Sequence, residues 1–172
     1  VRYLLVDDGW PTTLVDPHPT TFTLIQNMWG HLPNLTMHQV AIVTKPGTIS
    51  FMLTEDAFGG GSYVEGVAAP QTVMPGGATG ANDAACSTQV RGVLMSEVDD
   101  GSVEALNLDV EGSEWAVIKG MVSRPKLIEL EWGAGRYVNP HQTEILAWMA
   151  EEGYDRVTAP AAPQNARWLR RQ

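Results

Sequence analysis

The chain has 172 residues, 44% of them hydrophobic, enough for a single domain that buries roughly 70% of its unfolded surface. A formal net charge of −9 argues against a nucleic-acid partner, which needs clustered Lys and Arg; Arg167, Arg170 and Arg171 read as a solvated tail. Cys86 is the only cysteine, which excludes an intrachain disulfide and a cysteine-based metal site, and no apolar run is long enough to span a bilayer, so the expected setting is cytoplasmic, with no membrane partner.

In chain order, Tyr3 to Val6 read as the last turns of a helix closed by Gly9, or as a short strand. Thr12 to Val15 form a strand that ends at Asp16 and Pro17. His18 then suits an N-cap and Pro19 the first helical position, with Phe22, Ile25, Met28 and Trp29 on one apolar face before Gly30. Thr36 to Thr44 read as a strand, and Thr48 to Leu53, after the Pro46-Gly47 turn, as its antiparallel hairpin partner. From Glu55 to Ser87 periodicity vanishes and glycines accumulate. A loop of that length is either a lid over substrate or a mobile insertion.

Thr88 to Leu94 resume as a strand, and Ser96 to Asp100 make a short helix or turn. The stretch from Ala105 to Trp132 is the most informative. Leu106 to Val110 alternate and stop at acid and glycine; Trp115, Ile118 and Val122 recur at helical spacing up to Arg124-Pro125; and Leu127 to Leu130 end on Glu131. The unit reads strand, helix, strand, with acids at the strand ends where ligands bind in open α/β sheets. Asn139, Pro140 and Gln142 suggest a capping box for a helix ending at Gly153, and Tyr154 to Val157 with Ala166 to Leu169 a last hairpin.

The run Asn107-Leu108-Asp109-Val110-Glu111-Gly112-Ser113-Glu114, then Val117-Ile118-Lys119-Gly120, then Ile128-Glu129-Leu130-Glu131 resembles the signature of the FkbM family of methyltransferases. Asp16 followed by Pro17-His18-Pro19 resembles the family's acid and Pro-x-Pro after its second strand. The resemblance implies a Rossmann-like class I methyltransferase fold, α/β, with a mostly parallel sheet and a C-terminal antiparallel hairpin. It also implies S-adenosyl-L-methionine as cofactor, with Asp16 on the ribose, His18 nearby, Val40 and Ala41 at the adenine, and Asp109, Glu111 and Glu114 lining the pocket.

For methyl transfer to a hydroxyl, Asp109 is placed to act as base, or to bind a divalent cation such as Mg2+ with Glu131 and Glu111; base outweighs ligand by about two to one, because carboxylate spacing alone is no metal signature. His141 at a helix start is a weaker candidate base. Glu111 and Glu114 also fit the bland role of acids beside a helix N-terminus, Lys119 is a solvated helix residue, and Trp115 and Trp132 suit core packing better than ligand stacking.

Only about eleven residues precede the strand at Thr12, too few for the strand and glycine-rich turn that come first in the family. The sequence therefore reads as a fragment or a divergent member whose first strand is missing, and the exposed edge would favour a homodimer. The expected function is an O-methyltransferase acting on a sugar or secondary-metabolite hydroxyl, its partner a small-molecule or glycan acceptor. The alternatives are a cofactor-free scaffold or binding domain and, more weakly, a metal-dependent phosphoryl or glycosyl enzyme.

Overall fold

The computed structural model describes residues 3–53, 62–65, 86–132, 139–157 and 165–171. A π-helical turn, Tyr3–Asp7, leads through Gly9 at φ 68° into strand β1, Thr12–Val15. Helix α1, Pro19–Trp29, starts as its sequence dictates: the His18 ring nitrogen Nδ1 accepts the Thr21 N–H at 3.2 Å, and Pro19 has no N–H to leave unpaired. Strand β2, Leu35–His38, returns parallel to β1, with Thr12 opposite Leu35 and Val15 opposite His38. Within β1, α1 and β2, Phe22 is the only buried side chain, and Leu5 of the preceding turn is buried as well.

Strands β3, Ala41–Ile42, β4, Gly47–Leu53, β5, Tyr63–Val64, and β6, Cys86–Val93, form a second sheet in the order β3-β6-β4-β5. The hairpin expected between 36–44 and Thr48–Leu53 does not form. Instead β6 lies between them, parallel to β3 and antiparallel to β4 from Gly47–Gly92 to Leu53–Cys86. Gly92 makes this possible, because it faces Ala41 on one side and Gly47 on the other. A Cβ there would stand 2.9 Å from Val43 Cγ2 and 3.2 Å from Ile49 Cγ2. The stretch 55–87 is also not wholly loop, since Tyr63–Val64 pair with β4 and β6 already begins at Cys86. The rest of the expected lid, 55–61 and 66–85, lies outside the described residues.

A 3-10 turn at Met95–Glu97 leads to β7, Ala105–Leu108, helix α2, Glu114–Gly120, β8, Leu127–Glu131, helix α3, Gln142–Glu151, β9, Tyr154–Val157, and β10, Asn165–Arg170. Their sheet runs β7-β8-β10-β9, with β7 parallel to β8 and β10 antiparallel to both its neighbours. The last hairpin is thus as the sequence suggests. Three of the seven described strand pairings are parallel, so the expectation of a mostly parallel sheet is corrected to a mixed α/β fold in three sheets. The hairpin strands on β6 and β10 account for the antiparallel majority. No helix among the described residues is long and apolar enough to cross a membrane.

The main core gathers Ile118 from α2, Ile128 and Leu130 from β8, Ile145 and Met149 from α3 and Trp168 from β10, each almost completely covered. Burying one such side chain contributes about 1.5–3 kcal/mol. Helix α2 is shorter than its periodicity suggested. It stops at Gly120, which leaves Val122 54% exposed, and its buried stripe is Glu114, Val117 and Ile118, continued by Met121.

The end of α2 is tied down by Arg124. Its guanidinium holds both Glu152 oxygens at 2.8 and 2.9 Å, donates to the carbonyls of Met121 and Ser123, and lies 5.3 Å over the Trp148 ring. Both partners are half-buried, so the paired bonds are screened less than a surface ion pair. Arg124→Ala is expected to cost about 2 kcal/mol in urea denaturation. A loss below about 0.5 kcal/mol would show the fork to be a surface ornament.

Candidate functional site

The site begins with register. Leu108 at the end of β7 faces Leu130 in β8, so the next residues, Asp109 and Glu131, leave two parallel strands at the same level. The chain then reverses through Glu111 at φ 47° and Gly112 at φ 98°. A non-glycine residue at such a φ is strained, and neighbouring contacts must hold it there. The reversal brings Glu111 back over the strand ends, and one carboxyl oxygen from each of Asp109, Glu111 and Glu131 lies within 4.8 Å of the other two.

Crowded carboxyls cannot all ionise freely. Burial pushes Glu131 up from 4.5 to about 7, and the charges of Glu111, Asp109 and Glu114 push in the same direction. A hydrogen bond shared with Asp109 adds to the shift, as expected for a carboxyl that keeps its proton. Oxygen Oε2 of Glu131 is buried and has no hydrogen-bond partner among the described residues. Leaving such an acceptor unmatched costs about 1–3 kcal/mol, which a ligand hydroxyl would offset.

Glu114 is completely buried. Its Oε1 accepts the Gly112 N–H at 3.3 Å and its Oε2 accepts the Asn139 side-chain amide at 2.8 Å. The expected capping box is replaced by a different use of the same residues. His141 occupies the N-cap of α3, Asn139 accepts the His141 N–H through Oδ1 at 2.9 Å, and Gln142 donates to the Trp132 carbonyl at 2.9 Å. The His141 ring lies 3.4 Å from Glu144, an exposed pair on its own helix, and is not part of the carboxyl group of three. Trp132 packs edge-on against Trp168 at 5.1 Å, under the Arg156 guanidinium at 5.2 Å, the packing role its position suggested.

Asp16 stands one residue beyond β1 and accepts the His18 N–H at 2.8 Å. Burial raises its carboxyl above the ordinary value, against the opposing pull of that bond and of the His18 ring. The His18 ring is occupied as the cap of α1 and meets Phe51 edge-on at 6.3 Å. Val40 and Ala41 are both buried, Val40 in the main core and Ala41 in the smaller cluster with Phe51, which leaves the backbone of this stretch for any ligand.

Asn139 was legible from sequence only as a helix-start residue. The signal that singles out Glu114 was present: a carboxyl at the first position of the stripe 114, 117, 118, 121, where an apolar residue belongs.

Chemically, a half-buried acid at a strand end suits a ribose hydroxyl, and Asp16 is of that kind. The Asp109, Glu111 and Glu131 oxygens suit either proton transfer or a hard divalent cation, which takes oxygen ligands at about 2.0–2.6 Å. A family model described as the methyltransferase FkbM domain matches residues 2–156. No curated protein and no solved structure matches the chain significantly.

Proposed function

We propose that this chain, which belongs to the FkbM methyltransferase family, is an S-adenosylmethionine-dependent O-methyltransferase that acts on a hydroxyl of a sugar or secondary metabolite. The observation that carries the reading is Glu131: a carboxyl at a strand end, raised to about 7, with one buried oxygen lacking a donor and Asp109 beside it. When bound, S-adenosylmethionine would supply the methyl group of its sulfonium, the S–CH3 bond breaking as S-adenosylhomocysteine leaves.

The chain's residues do the rest. Asp16 would hold the ribose hydroxyls, with the buried backbone around Val40 and Ala41 against the base. Glu131 in its ionised form accepts the proton of the acceptor hydroxyl as the oxygen gains its methyl group. A base with a pKa near the working pH is the most effective compromise between being ionised and being basic. Burial keeps that pKa raised and the charges of Glu111 and Asp109 add to it, while the strand ends hold acceptor and base in register, which lowers the entropic part of the barrier. Mg2+ is a second use of the same carboxyls. It would hold Glu131 ionised, and sensitivity to a chelator separates the two uses.

The test is release of S-adenosylhomocysteine across a panel of hydroxylated acceptors, followed against pH with and without a chelator. The rate should rise through about pH 7, level off above it and survive the chelator. Transfer to no hydroxyl in the panel would overturn the reading, and complete loss with the chelator would turn the carboxyls into metal ligands.

A further inference from the structure

The carboxyl group of three is assembled from two separate pieces of chain, and one buried residue touches the supports of both, the first through its side chain and the second through its backbone N–H. Asp109 and Glu111 ride on the turn after β7, whereas Glu131 sits at the end of β8. The strained turn is held where the Gly112 N–H meets Glu114. The end of β8 is held where the Trp132 carbonyl, next to Glu131, accepts from Gln142 and, more loosely at 3.5 Å, from the Asn139 N–H. Asn139 is 2% exposed, and its side-chain amide donates to the other oxygen of Glu114.

We propose that Asn139 is a positioning residue for the site: through Glu114 it fixes the turn carrying Asp109 and Glu111 against the strand end carrying Glu131. This assignment rests on those carboxyls being the reacting group. Asn139 is bonded inside this frame through both ends of its side-chain amide and through its backbone, with Nδ2 on Glu114, Oδ1 on the His141 N–H and its own N–H on Trp132. A buried amide bonded at both its nitrogen and its oxygen is costly to replace and holds its neighbours in place. Glu114, for its part, has a carboxyl in the apolar stripe of α2, a place that only bonded partners make tolerable.

Asn139→Ser separates the functions, because a serine hydroxyl can still accept the His141 N–H but cannot reach Glu114. Amide hydrogen exchange at Gly112 should rise about tenfold or more while Ile128 and Leu130, in the core ladder, keep their wild-type protection. The carboxyl carbon signal of Glu131, followed by NMR against pH, should move its midpoint down from about 7 as the facing Asp109, Glu111 and Glu114 draw apart. If Asn139→Ser does not fold, Glu114→Gln serves through the Gly112 exchange alone, because its single amide oxygen cannot accept from both Gly112 and Asn139, whereas its lost charge lowers the Glu131 midpoint by itself. A folded Asn139→Ser with wild-type Gly112 exchange and an unmoved Glu131 midpoint, or a folded Glu114→Gln with wild-type Gly112 exchange, would overturn the assignment. Both signals are read without cofactor or acceptor, so a failure of the methyltransferase reading leaves this test standing.

Discussion

Glu131→Gln is expected to lower methyl transfer by about a hundredfold or more while making the protein more stable at pH 8. The loss of rate is the usual contribution of a positioned general base, since glutamine keeps the shape but takes no proton. The gain in stability follows from linkage. Glu131 is raised in the folded state to about 7 from 4.5, so between those values the native chain holds a proton that the unfolded chain releases. Its favourable term is fully present below about pH 4.5 and is lost as pH rises through about 7. Glutamine removes that loss, worth on the order of 1 kcal/mol at pH 8 once solvent screening of a partly exposed group is discounted. Urea denaturation at pH 5 and pH 8 reads it directly. The variant should gain over wild type at the higher pH, and an equal effect at both would show that Glu131 titrates normally.

Asp109→Asn is the second large effect and separates the two acids. If Glu131 is the base, Asp109 acts on it by charge. Its removal lowers the raised carboxyl, so the acid limb of the pH–rate profile moves to lower pH and the plateau falls about tenfold to a hundredfold as the base weakens. If Asp109 is itself the base, as the sequence first suggested, activity disappears and no shifted limb is left to follow. It is the displacement of the limb between variants, rather than its absolute position, that carries the assignment.

The meeting of Asp109 and Glu131 was legible in the sequence because strand, helix and strand were legible, and a parallel pair with Leu108 opposite Leu130 brings the residues that follow them together. The β1-α1-β2 unit was legible for local reasons as well: His18 caps the helix, Pro19 takes its first position, and Gly30 ends it where a Cβ would crowd the Gln26 carbonyl. Strand partners were not. Alternation around 36–44 and 48–53 says that two strands exist, yet nothing in it says that β6, from beyond a long irregular stretch, would lie between them. The one local hint was Gly92, a residue that weakens a strand unless two neighbours crowd it. The Glu114–Asn139 link escaped for a different reason, since a hydrogen bond across 25 residues leaves no periodic trace. Only the misplacement of an acid in an apolar stripe announced it.

The most direct test of the central claim is calorimetric titration of S-adenosylhomocysteine into the chain, with Asp16→Ala as the control. Saturable binding is expected, weakened about tenfold or more by the substitution, because Asp16 is a half-buried acid at the strand end suited to a ribose. Absence of binding, or binding that Asp16→Ala leaves unchanged, would contradict the placement of the cofactor.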